Sequence, residues 1–79
     1  MSRKVFVRVL AETDEEGNIC PLSVTWEDGR SYAIDKVTDI RRAYAKNVGG
    51  TAVRYRVRIE GKETYIFLEN GKWFVESKV

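Results

Sequence analysis

The stretch "VRYRVRIEGKETYIFLENGKWFVE" (Val53–Glu76) decides the fold. Its first part alternates Val53, Tyr55, Val57 and Ile59 with Arg54, Arg56 and Arg58. A period of two belongs to a strand with one buried and one wet face. A turn at Gly61-Lys62 leads into "ETYIFLE", and Asn70-Gly71 leads into "KWFVES". Asn-Gly is the preferred pair of a two-residue hairpin, so the three runs predict an antiparallel meander. The middle run, Tyr65-Ile66-Phe67-Leu68, is apolar at successive positions. Such a strand is covered on both faces and belongs in the centre of a closed or packed sheet.

The same period extends toward the N-terminus. "RKVFVRVLA" (Arg3–Ala11) is rich in β-branched residues and reads as a strand. "ETDEEGN" (Glu12–Asn18) is an acidic loop. In "ICPLSVTW" (Ile19–Trp26), Leu22, Val24 and Trp26 alternate with Pro21, Ser23 and Thr25. Pro21 suits an edge strand or a first position, where no ladder donor is required. Asp28-Gly29 signals a two-residue hairpin, returning through "RSYAIDKV" with Tyr32, Ile34 and Val37 facing in. The apolar spacing slips between Ile34 and Val37, which predicts a bulge or bend. "TDIRRAYAKNVGG" (Thr38–Gly50) supports two readings. The favoured one continues a strand through about Arg42 and then loops through Gly49-Gly50. The other places a short helix near residues 39–46, capped by Thr38 or Asp39. The expected fold is all-β: five to seven short antiparallel strands with at most one short helix. Closure removes exposed edges, so the chain, residues 1–79, is expected to form one small barrel domain. The short hairpins favour an SH3-like barrel, with an OB-like barrel as the alternative.

Composition excludes much chemistry. The chain has no histidine and one cysteine, Cys20. It therefore has no Ser-His-Asp or Cys-His arrangement, no ordinary zinc site and no internal disulfide. Cys20 is expected to be a small buried hydrophobe. Neither GxxxxGK[ST] nor GxGxxG is present. Asp14-Glu15-Glu16 lacks the spacing of a calcium-binding loop and reads as solvated. No enzyme activity, cofactor or metal is expected. The N-terminal residues do not read as a signal peptide, and no run reaches the roughly 20 apolar residues of a membrane span, so a cytoplasmic protein is expected. A domain this small has a thin core, and weak homodimerisation through the edge of the first or last strand would supplement it.

The net charge of +2 hides a segregation. Residues 1–11 carry +3, residues 12–28 carry −6, residues 29–58 carry +6 and the remainder −1. Arg54, Arg56 and Arg58 project from one face of a strand about 6.7 Å apart. Arginine is a permanently charged fork suited to phosphates and ring faces. With Arg41, Arg42 or Arg8 on a neighbouring strand, the patch would track a nucleic-acid backbone. Phe6, Tyr44, Tyr65, Phe67 and Phe74 are available as stacking rings. Two other readings stand beside this one. The arginines are a solvated face paired with Glu63, Glu69, Glu76 or Asp39, or they dock a larger protein. Trp26, Tyr32, Trp73 and Phe67 are expected in the core.

Two phrases carry a resemblance. "PLSVTWEDGRSYAIDKVTDIRRA" and "VRYRVRIEGKETYIFLENGKWFVE" resemble a family of small uncharacterised proteins of clostridia-like bacteria. The matching positions are Trp26, Gly29, Arg30, Tyr32, Asp35, Val37 and Asp39, then Arg54, Tyr55, Val57, Gly61, Glu63, Thr64 and Tyr65, and finally Trp73, Phe74, Val75 and Glu76. The resemblance implies a compact β-barrel encoded near error-prone, Y-family DNA polymerases, hence a DNA-repair or mobile-element context. It attaches no catalytic residue.

Overall fold

Among the described residues, alternation of apolar and polar residues is carried through into eight strands: β1 (Ser2–Phe6), β2 (Arg8–Thr13), β3 (Ile19–Thr25), β4 (Ser31–Ala33), β5 (Lys36–Tyr44), β6 (Thr51–Ile59), β7 (Lys62–Glu69) and β8 (Lys72–Lys78). The computed structural model describes the backbone of residues 2–44 and 51–78 and the side chains of residues 3–42 and 52–76. The larger sheet has the order β1-β8-β7-β6-β5 and the smaller one β2-β3-β4. Every pairing is antiparallel. Among the described residues there is no helix, and so none long and apolar enough to cross a membrane.

The strand count exceeds the expected five to seven for a specific reason. Two extended runs each bend and pass from one sheet to the other. Val7 separates β1 from β2, and its N–H donates to the Trp73 carbonyl at 3.0 Å. At Ile34-Asp35, successive N–H groups donate to Leu22 of β3 and Arg58 of β6, at 2.9 and 2.8 Å. Followed from neighbour to neighbour, the chain makes a ring: β1/β2, β3, β4/β5, β6, β7, β8 and back to β1. This is a meander closed on itself, a barrel-like fold without the Greek-key crossing that an OB-like alternative requires. Closure pairs the last strand on both sides, so β8 has no free edge.

The core lies between the sheets. Val24, Tyr55, Val57, Ile59 and Ile66 are buried, and Trp26, Tyr32, Ile34, Val37, Leu68 and Trp73 pack partly buried against them. The Tyr55 ring meets Trp73 at 5.2 Å, and its hydroxyl donates to the Ile19 carbonyl at 3.0 Å. Burial, and secondarily the Cys20 thiol, pushes the Tyr55 phenol above its ordinary pKa, which keeps it a donor.

Several expectations are corrected. The register of β2 on β3 shifts between Leu10 and Ala11, so Leu10 faces Ser23 while Ala11 faces Pro21. Leu22 is the extra residue of this bulge and is 40% exposed, whereas Pro21 is buried. β3 is central in its sheet rather than an edge, and the bulge tolerates the missing proline donor. The same slip leaves Cys20 exposed. The Asp28-Gly29 turn has three loop residues, because Trp26 N–H donates to the Arg30 carbonyl and Gly29 N–H to that of Trp26. The turn expected at Gly61-Lys62 falls one residue earlier. Ile59 pairs with Lys62, and Glu60 and Gly61 have φ of 51° and 79°. Both central residues of a type I′ turn need positive φ, which only glycine adopts without strain. Asn70-Gly71 forms its expected turn between Glu69 and Lys72. Residues 39–44 continue β5, so the favoured strand reading holds there; the Gly49-Gly50 loop and residues 45–46 lie outside the described residues.

Candidate nucleic-acid interface

Strand parity separates the two faces of the larger sheet. Val57 and Tyr55 point to the core, so Arg54, Arg56 and Arg58 point outward. Register then places side chains beside them. Phe6 opposes Phe74, Phe74 opposes Phe67, Phe67 opposes Arg54, and Arg54 opposes Arg41. One row thus crosses β1, β8, β7, β6 and β5, with rings at one end and guanidinium groups at the other. Tyr65, Arg56 and Asp39 form the next row.

The arginines differ in their partners. The Arg54 guanidinium carbon lies 4.8 Å from the centre of the Tyr65 ring. Among the described residues Arg54 has no carboxylate partner. Arg56 Nε donates to Thr38 Oγ1 at 3.0 Å, and the Thr38 hydroxyl donates to the Arg56 carbonyl at 3.1 Å. One carboxylate, Glu63, serves both Arg56 and Arg58, at 4.0 and 3.5 Å. Arg41 Nε donates to Asp39 Oδ2 at 2.8 Å. The stripe is therefore a face with partial neutralisation, and its charge stays positive. By register its described basic residues are Lys4, Lys36, Arg41, Arg54, Arg56, Arg58 and Lys72, against Asp39, Glu63, Glu69 and Glu76.

The remaining predicted residues fall elsewhere. Arg42 opposes Val53 and so has the parity of the core side, although it is exposed. Arg8 lies on β2, in the other sheet, opposite Thr25. Phe67 lies on the outer face, stacked on Phe74 at 5.1 Å, and not in the core as expected. Of the stacking rings, Phe6 and Tyr65 are 58% and 43% exposed, while Phe74 is buried. The Tyr44 side chain lies outside the described residues.

Sequence reasoning missed the lysines. Lys4 Nζ lies 4.6 Å over the Phe74 ring and pairs with Glu69 Oε1 at 3.0 Å. Lys72 Nζ lies 6.0 Å over Phe6. Both were legible only as surface charge, because pairing β1 with β8 joins the two ends of the chain. The acidic loop is ordered by its own contacts. Asp14 Oδ1 accepts from the Glu16 and Asn18 N–H groups at 2.9 and 2.8 Å. The described residues hold no carboxylate or thiol cluster that fits a metal ion.

Set against protein-family models, curated proteins and solved structures, the chain finds no match.

Proposed function

We propose that the chain is a non-catalytic binding module that holds nucleic-acid phosphates against the outer face of its larger sheet. The observation that supports this most is Arg54. It adjoins Arg41 across the strand pair and Arg56 along β6, lacks an acidic partner among the described residues, and lies 4.8 Å over the centre of the half-exposed Tyr65 ring. A guanidinium paired in this way keeps its edge donors for a phosphate. The resemblance of the two phrases to small bacterial proteins supports a DNA-repair or mobile-element setting for such a module.

Salt titration of binding tests the proposal. A flat face that meets about three to five phosphates of a single strand gives a slope of log K against log salt of roughly −2 to −3.5, from about 0.7 per contact. Changing Arg54, Arg56 and Arg58 together to Ala flattens that slope by about two units and leaves the fold intact, since all three side chains lie outside the buried core. A parent chain that binds neither DNA nor RNA at about 50 mM salt, where electrostatic affinity is generous, makes the stripe a solvated face.

A second reading, docking on a larger protein or weak self-association, attaches to the smaller sheet. There Leu10 is 64% exposed and Leu22 of the bulge 40%. Sedimentation at several concentrations of the parent and of Leu10→Ser tests it, and identical monomeric profiles dismiss self-association.

A further inference from the structure

Among the described residues, the outer face has two places where an exposed ring carries a cation, and they stand apart. One is Tyr65 with Arg54, the other Phe6 with Lys72. Between them Phe74 is closed, 2% exposed beneath Lys4 and Phe67. Phe6 and Phe67 share a row two strands apart, and Tyr65 is two residues further along β7. Strand spacing and rise put the two exposed rings about 12 Å apart. Consecutive bases of a stacked strand are only about 3.4 Å apart. A stacked duplex therefore cannot lay neighbouring bases on both rings, and it buries the base faces that rings need.

Beyond Phe6 the surface does not end. A cleft of about 460 Å³ opens between the β1–β2 bend and the β7–β8 turn, lined by Phe6, Arg8, Lys72 and Trp73 among others. Its volume lies in the range of small-ligand sites. Phe6 belongs both to the cleft and to the row, and Lys72 both to the cleft and to the outer face, opposite Glu69, so the two surfaces are continuous. Arg8, which lies on β2 in the other sheet and so outside the arginine stripe, stands at this end.

We infer that the face takes an extended single strand of nucleic acid, with one base on Tyr65, a second and non-adjacent base on Phe6, and the following phosphate in the cleft between Arg8 and Lys72. The inference rests on the nucleic-acid reading of the arginine stripe and adds to it the strand form, the path and the second half of the site. Charge complementarity and ring exposure commit the occupant: a protein strand would want the unpaired backbone of a sheet edge, which this face does not offer.

The test is fluorescence anisotropy with labelled oligothymidines of about two and about eight nucleotides, spanning the small end of known single-strand site sizes, and with a blunt duplex. The parent binds the longer single strand more tightly than the shorter one and more tightly than the duplex. Phe6→Ala weakens the longer strand by roughly 5- to 150-fold, the loss of one stacked base. Phe6→Tyr restores it, which separates stacking from a packing defect. Arg8→Ala flattens the salt slope by about 0.7. If Phe6→Ala and Arg8→Ala bind the longer strand like the parent while Arg54→Ala and Tyr65→Ala weaken it, the path ends at the first ring. The inference then falls and the proposed function stands. Preference for the duplex also overturns the inference. A parent that binds no strand defeats both.

Discussion

Glu63 is the point at which the arginine stripe restrains itself, and Glu63→Gln isolates that restraint. Its carboxylate lies 3.5 Å from Arg58 and 4.0 Å from Arg56, with all three side chains 40–47% exposed. Pairs this exposed contribute about 0.2–1 kcal/mol each. A phosphate that engages either guanidinium must displace part of this and also meets the repulsion of Glu63, about 0.5 kcal/mol at about 8 Å in water. Removing the charge therefore returns about 0.5–1.5 kcal/mol to binding, a gain of roughly 2- to 12-fold. Anisotropy with a labelled single strand at about 50 mM salt reads the gain, which shrinks at higher salt because a Debye length near 10 Å screens exposed charges. In an Arg56→Ala, Arg58→Ala background the gain falls toward that expected from net charge alone. Equal or weaker binding by Glu63→Gln would refute the reasoning, since a stripe that met phosphates could not be indifferent to its own counter-charge. A full gain without Arg56 and Arg58 would refute the assignment of the effect to these two residues.

Other parts of the structure give sharper numbers. Trp73→Ala removes a partly buried ring packed on Tyr55 and costs about 3 kcal/mol, the low end of the range for large-to-alanine core changes, read by chemical denaturation. A variant that melts within a few degrees of the parent would place Trp73 on the wrong face. Tyr55→Phe leaves the Ile19 carbonyl without its side-chain donor and costs about 1 kcal/mol with no change in the m-value. Asp14 is held below its ordinary pKa, chiefly by the Asn18 N–H and then by its side-chain amide. Its folded value lies below the unfolded one, so its contribution is present above the unfolded value and lost as pH falls through the folded value. Carboxyl NMR should show Asp14 titrating below the free-aspartate value, with loss of amide protection at Asn18 on the acid side. Titration at the free-aspartate value would remove the loop-ordering role.

What the sequence conveyed follows from what is local. The β6–β8 meander was legible because Asn70-Gly71 and strict alternation act within a few residues. The outward direction of Arg54, Arg56 and Arg58 followed from parity alone. The inward turn of Pro21 and the outward turn of Leu22 were not legible. They depend on a register slip against Ala11, on another strand. The division of the long N-terminal run at Val7 depends on a hydrogen bond to Trp73, at the far end of the chain. Phe67 shows a different failure. It alternates with buried Ile66 and so belongs outside by parity, but its aromatic character argued for the core. The candidate site was half visible for the same reason. Its arginines are neighbours in sequence and Phe74 and Lys72 follow through the meander, whereas Phe6 and Lys4 join them only when β1 closes on β8.

Closure also sets how freely this face can specialise. In β6 one parity supplies Tyr55, Val57 and Ile59 to the core, so the other is released from packing and can carry charge at little cost in stability. The exception is Lys4 with Glu69, whose side chains are only 17% and 10% exposed. Glu69 Oε2 is buried without a hydrogen-bond partner among the described residues. Desolvating such a pair costs several kcal/mol per ion, and a well-packed apolar pair of similar volume is often as stable or more so. Stability alone therefore gives no reason for an ion pair here. An apolar pair would, however, leave a continuous greasy strip from Phe6 to Tyr65, an exposed surface that invites non-specific association. Lys4 instead caps Phe74 with charge and divides the strip into two separate rings. The desolvation cost is then the cost of closing Phe74 off from solvent between the two exposed rings.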